Sequence, residues 1–133
     1  MSRFKDIVIH PGTVDIGAGL TWTEVYSYLV PRGINVVGGR LDGVGVGGLT
    51  LGGGQPAFQL FALLHRVDSS HVHVIGYSWK TNQYGLTVDT LTAFELVLPT
   101  GEVKVVTEEN EDLWFALKVR ASNCCKGRLV VSP

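Results

Sequence analysis

Two blocks of the chain hold the residues whose types and spacing could do chemistry: Gly38–Gly54 (GGRLDGVGVGGLTLGGG) and Tyr77–Glu95 (YSWKTNQYGLTVDTLTAFE). Glycine fills more than half of the first block, a composition that predicts neither a helix nor an ordinary strand, because each glycine loses much backbone entropy on ordering and brings no side chain to a core. The interleaved Val44, Val46, Leu49 and Leu51 predict burial on one side, which separates the block from a flexible Gly/Ser linker. Backbone that must pass very close to a ligand has this composition, and the block reads as a ligand-cradling wall.

Other chemistries fit these residues less well. Gly43–Gly48 matches G-x-G-x-x-G, but a dinucleotide motif needs its last glycine to open a helix. Here the continuation is Leu49-Thr50-Leu51-Gly52-Gly53-Gly54, whose glycines predict a broken helix. No Gly-Lys-Ser/Thr occurs, so a phosphate loop of that type is excluded. A glycine-rich turn without a ligand is the plain alternative. His71 and His73, with His65 and Asp68 nearby, lack the spacing of a zinc motif and read as exposed imidazoles, so no metal site is expected. His10, before a Pro-Gly turn, reads as a surface residue. Asp89 and Glu95 are expected on opposite or staggered faces of one strand, which is no paired-carboxylate site. Trp22, Trp79 and Trp114 are expected to pack in the core. No Ser/His/Asp or Cys/His spacing stands out, and no catalytic residue is assigned.

The 133 residues, 45% hydrophobic and 17% charged, suit one globular domain with a real core. A net charge of −1, without a basic cluster, gives no footprint for nucleic acid or an anionic membrane. No apolar run approaches the length of a membrane span, and Met1–Asp6 has none of the character of an export signal. No compartment is assigned. Cys124 and Cys125 are adjacent, a spacing that strains a mutual bond and suits no metal.

The elements that would position the two blocks read as follows. Asp6–Ile9 and Thr13–Gly17 are strands joined at Pro11-Gly12. Thr21–Leu29 is a helix with Trp22, Val25, Tyr26 and Leu29 on one face, capped by Thr21 or Thr23 and ended by Pro31 and Gly33. Ile34–Val37 is a short strand. Leu86–Leu98 is a long strand that turns at Thr100-Gly101 into Val103–Val106, its antiparallel partner. Asn110 with Glu111-Asp112 starts a short helix carrying Leu113, Trp114 and Leu117. Residues 55–76 interrupt this rhythm as an unpatterned insertion, and the tail 119–133 (VRASNCCKGRLVVSP) reads as unrelated material.

Five stretches, Thr13–Thr21, Trp22–Gly39, Val44–Gly54, Tyr77–Asp89 and Ala93–Gly101, together resemble the FAD-binding domain of the vanillyl-alcohol oxidase and p-cresol methylhydroxylase (PCMH) type. The likeness is nearest to the FAD-linked oxidoreductases related to berberine bridge enzyme, and covers about ninety residues within 1–118. The resemblance implies an α+β fold, partial for this domain: the end of its first subdomain and much of its second. It implies FAD as cofactor and, in the complete family member, a small-molecule substrate such as an alcohol or sugar oxidised by hydride transfer to flavin. It places Val46, Gly47, Gly48, Leu49, Gly53 and Gly54 along the cofactor, followed by Gly85 and Leu86, with backbone near Leu91 at the adenine end. The family's phosphate loop with its histidine, its cysteine anchor (Leu41 stands near that position) and its substrate domain have no counterpart in the sequence. The alternative expectation is therefore a truncated non-catalytic remnant, or an interaction module, without tight cofactor binding.

Overall fold

The computed structural model describes residues 4–51, 78–98, 100–120 and 127–133. Strand β1 (Ile7–His10) turns at Gly12, whose φ of 87° suits glycine, into β2 (Thr13–Gly17). Along β2 the side chains alternate, and Val14 and Ile16 face the core. Helix α1 (Trp22–Leu29) begins at Thr21, whose hydroxyl accepts the Glu24 N–H while the Glu24 carboxylate accepts the Thr21 N–H at 2.7 Å. This capping box satisfies two backbone donors, and the helix buries Trp22, Val25 and Leu29. A 3-10 turn at Val30–Arg32 and a left-handed Gly33 (φ 74°) end it, where Pro31 and Gly33 predict an end.

The strand expected at Ile34–Val37 does not form. Those residues join no ladder; Val36 and Val37 are buried, and the chain next passes the indole of Trp22 at Gly38 and Gly39. The glycine block brings a second correction: Val46–Leu51 is helical (α2), with Val46, Gly47, Leu49, Thr50 and Leu51 buried. Tertiary packing of its apolar residues outweighs the intrinsic cost of Gly47 and Gly48 in a helix of six residues.

After α3 (Thr81–Tyr84), Thr87–Thr90 is a 3-10 turn, so β3 covers Leu91–Val97 only. Asp89 therefore lies outside the strand that holds Glu95. Its carboxylate accepts the Leu86 N–H at 2.8 Å, and the Thr90 hydroxyl donates to the Thr87 carbonyl at 2.9 Å, so local side-chain bonds win over strand extension. β3 pairs with β4 (Val103–Val106) across the expected turn, where Gly101 has φ 87°. Helix α4 (Glu111–Arg120) lays Trp114 and Leu117 on the core, and the Trp114 ring meets Phe94 edge-on at 4.8 Å.

The last strand, β5 (Arg128–Val131), lies in the tail that reads as unrelated material. The five strands of the described residues are ordered β1-β2-β5-β3-β4, all neighbours antiparallel, so β5 is the middle of the sheet. Leu129 and Val131 are buried in line with Val14, Ile16, Phe94 and Leu96. Four residues with two inward apolar positions are too short a pattern to stand out in a sequence, yet they close the gap between β2 and β3. The whole is the α+β fold expected: one antiparallel sheet with short helices on its core face. The block 55–76, Cys124, Cys125, His65, His71 and His73 lie outside the described residues.

Candidate functional site

The start of α2 is held by backbone. Trp22 N–H donates to the Val44 carbonyl at 2.9 Å and Val46 N–H donates to the Leu20 carbonyl at 2.8 Å, forming a short bridge of Thr21 with Gly45. That bridge fixes which way the glycines face. Gly45 and Gly48 are exposed, and a Cβ built on either would meet nothing within 4 Å. Gly47 faces inward, where an added Cβ would lie 3.3 Å from the Ala18 carbonyl oxygen. Val46 and Leu49 are 0% and 5% exposed, so their side chains belong to the core. Thr50, also in α2, carries a buried hydroxyl without a hydrogen-bond partner among the described residues, as does the indole N–H of Trp22.

The second group of expected residues lies around the turn before β3. Gly85 adopts φ 81°, and a Cβ there would come within 2.8 Å of the Asp89 carboxylate. Leu86 donates its N–H to that carboxylate, which engages the donor inside the protein. Leu91 is buried and pairs with Val131. The bond from Ser132 N–H to the Thr90 carbonyl, 3.0 Å, makes Leu91 the next, non-hydrogen-bonded position, so its own N–H and C=O point away from β5.

Thr90 also borders a cleft of about 260 Å³ lined by Asn35, Lys80, Tyr84, Asp89 and Ser132. The residues of this cleft, and Gly45, are what sequence reasoning missed. Lys80 and Tyr84 fall in the Tyr77–Glu95 block, but Asn35 lies in a segment read as a strand and Ser132 in a tail read as foreign. Next to the cleft, Arg40 lies over the ring of Trp79 at 5.3 Å; Trp79 is 79% exposed, contrary to the core role expected of it. At the other end of the sheet His10 contacts Asp15 at 3.2 Å, an exposed surface pair. Tyr26 lies against Trp22, and burial pushes its hydroxyl up to about 12, against the opposing pull of a Gly38 backbone hydrogen bond. Among the described residues, no group of three or more His, Cys, Asp or Glu is placed to hold a metal, and no helix is long and apolar enough to cross a membrane.

The fold and sequence can be compared with known proteins. No family model matches the chain. It is 36% identical over 113 residues to the FAD-dependent monooxygenase macF of Penicillium terrestre, a match covering 84% of this chain and 18% of that protein. It is 35% identical over 115 residues to an uncharacterized FAD-linked oxidoreductase of Arthroderma benhamiae, covering 86% of this chain and 19% of the other. Among solved structures, 6-hydroxy-D-nicotine oxidase from Arthrobacter nicotinovorans superposes with a TM-score of 0.75 at 22% identity, over 99% of this chain and 25% of that one. The chain spans about a fifth of the length of the curated relatives it matches. Sequence relatives and fold agree: the chain is similar to a fragment of FAD-dependent monooxygenases and FAD-linked oxidoreductases, and its fold is that of the FAD oxidases of the p-cresol methylhydroxylase type.

Proposed function

We propose that this chain is a FAD-holding stretch of an oxidoreductase that oxidises an alcohol, sugar or similar small molecule by hydride transfer to the flavin. The observation that carries the reading is the exposed, side-chain-free surface at Gly45 and Gly48, where backbone can approach a cofactor closely. FAD, when bound, supplies the hydride acceptor; the residues of this chain hold and shield it. In this reading Gly48 contacts the cofactor directly, Val46, Gly47 and Leu49 shape the backbone beneath it, and Gly53 and Gly54, which lie outside the described residues, belong to the same cofactor-binding set. Gly85 and Leu86 shape the turn that follows, while Leu91 and the cleft beside Thr90 lie toward the adenine end. Residues 1–118 carry the family pattern, interrupted at 55–76, with β5 completing the sheet.

A second reading is a non-catalytic interaction module without tight cofactor binding. It is favoured by two features: Gly47 has a packing reason in Ala18, and the Leu86 N–H is already engaged by Asp89. Gel filtration of the purified protein after incubation with FAD separates the readings. Flavin absorbance co-eluting with folded protein is expected; folded protein eluting colourless would leave only the interaction module.

A further inference from the structure

Among the described residues β4 is an edge of the sheet, and its outward groups are self-complementary. Leu98 N–H donates to the Glu102 carbonyl at 2.8 Å, which places Glu102, Lys104 and Val106 in the hydrogen-bonded pairs with β3. The N–H and C=O groups of Val103 and Val105 therefore point outward from the free edge. Both side chains are exposed too, at 59% each, on the face opposite buried Val106. Among the described residues neither Glu102 nor Lys104 has an ion-pair partner.

Only outward-facing residues can make a new ladder, so a second copy pairing antiparallel on this edge has few registers. Centring on Lys104 sets Lys104 against Lys104. Centring on Val105 sets Glu102 against Glu108. Centring on Val103 sets Glu102 of each copy against Lys104 of the other, in the pairs where side chains approach most closely, with Val103 facing Val103 between them.

The geometry points to a two-fold symmetric homodimer formed by β4 edges, centred on Val103 and selected by the reciprocal Glu102–Lys104 pairs. The occupant is a second copy of this chain, because a two-fold axis satisfies both charges of the segment at once and joins the two sheets into one. The contact is small, so association is weak and concentration-dependent.

Sedimentation velocity over a concentration series tests it. The parent chain is expected to move from monomer to dimer. Lys104→Glu, which replaces two attractive pairs by two repulsive ones, is expected to raise the dimer dissociation constant about tenfold or more. The double swap Glu102→Lys/Lys104→Glu restores complementarity and is expected to restore the dimer. Val103→Pro removes an outward N–H without touching the ladder to β3, and is expected to leave a monomer with the parent's circular dichroism. A parent chain that stays monomeric, a dimer indifferent to Lys104→Glu, or a folded double swap that stays monomeric would each overturn the proposal. If Lys104→Glu failed to fold, the Val103→Pro result would decide alone.

Discussion

The buried indole of Trp22 lies so close to Gly38 that a side chain at residue 38 would overlap the ring, and at Gly39 a Cβ would lie 2.8 Å from Trp22 Cδ1. These glycines are there for packing, because the chain must cross an aromatic face that is itself fully buried. Gly38→Ala should cost about 1–3 kcal/mol through forced displacement of Trp22 or the backbone. Chemical denaturation read by tryptophan fluorescence checks this, and a loss below a few tenths of a kcal/mol would mean that the ring shifts without strain.

Gly47 and Gly48 should behave differently although they are neighbours. Gly47→Val drives a branched side chain into Ala18 and should lower the melting temperature whether or not FAD is present. Gly48→Val points into open space, so it should leave the fold at parental stability or about a few tenths of a kcal/mol above it, valine being the better helix former, while weakening quenching of flavin fluorescence. Unchanged quenching in Gly48→Val would remove the cofactor from this surface.

The turn before β3 depends on Gly85 at φ 81° and on the Asp89 carboxylate that accepts the Leu86 N–H. Asp89→Ala should cost about 1 kcal/mol, like the loss of a helix cap. Gly85→Ala should cost about 1–2 kcal/mol, since a Cβ is disfavoured at positive φ. Urea titrations measure both, and a neutral Gly85→Ala would show that the turn relaxes to negative φ.

Tyr26 gives an alkaline signature. Its hydroxyl is raised from an ordinary 10.0 to about 12 by burial, so the folded chain keeps a proton that the unfolded chain gives up. Its stabilisation is complete below pH 10 and is lost as pH climbs from 10 to 12. Tyr26→Phe should therefore lose less stability over that interval than the parent. Parallel denaturation curves at each pH test it; equal slopes for parent and variant would place the Tyr26 hydroxyl in a water-like setting.

Because β5 is the middle strand, deleting residues 127–133 should expose facing edges of β2 and β3 and remove Leu129 and Val131 from the core. The outcome expected is loss of cooperative unfolding together with aggregation. A soluble deletion variant with a parental melting transition would mean that the sheet closes without this strand.

Local signals were legible in the sequence wherever one residue sets one conformation. The cap at Thr21, one of the two candidates Thr21 and Thr23, the helix end at Gly33, the turn at Gly101 and the alternation of β2 all act within a few residues, and the structure has them where the pattern predicts. The family likeness was legible as well, because it spreads over several blocks in order. What only the tertiary structure decided depends on contacts between distant segments. The bridge from Gly45 to Thr21 orients α2, so that Gly48 faces out while Gly47 meets Ala18. Gly127 lies against the Glu95 carbonyl so tightly that no side chain fits, so glycine there permits the close approach with which β5 enters the centre of the sheet. No periodicity within Arg128–Val131 could reveal that place, because the gap it fills is made by β2, more than one hundred residues away in the chain, and β3, more than thirty residues away. A helix at Val46–Leu51 likewise runs against local propensity and exists because its apolar side chains complete a core built by the rest of the chain.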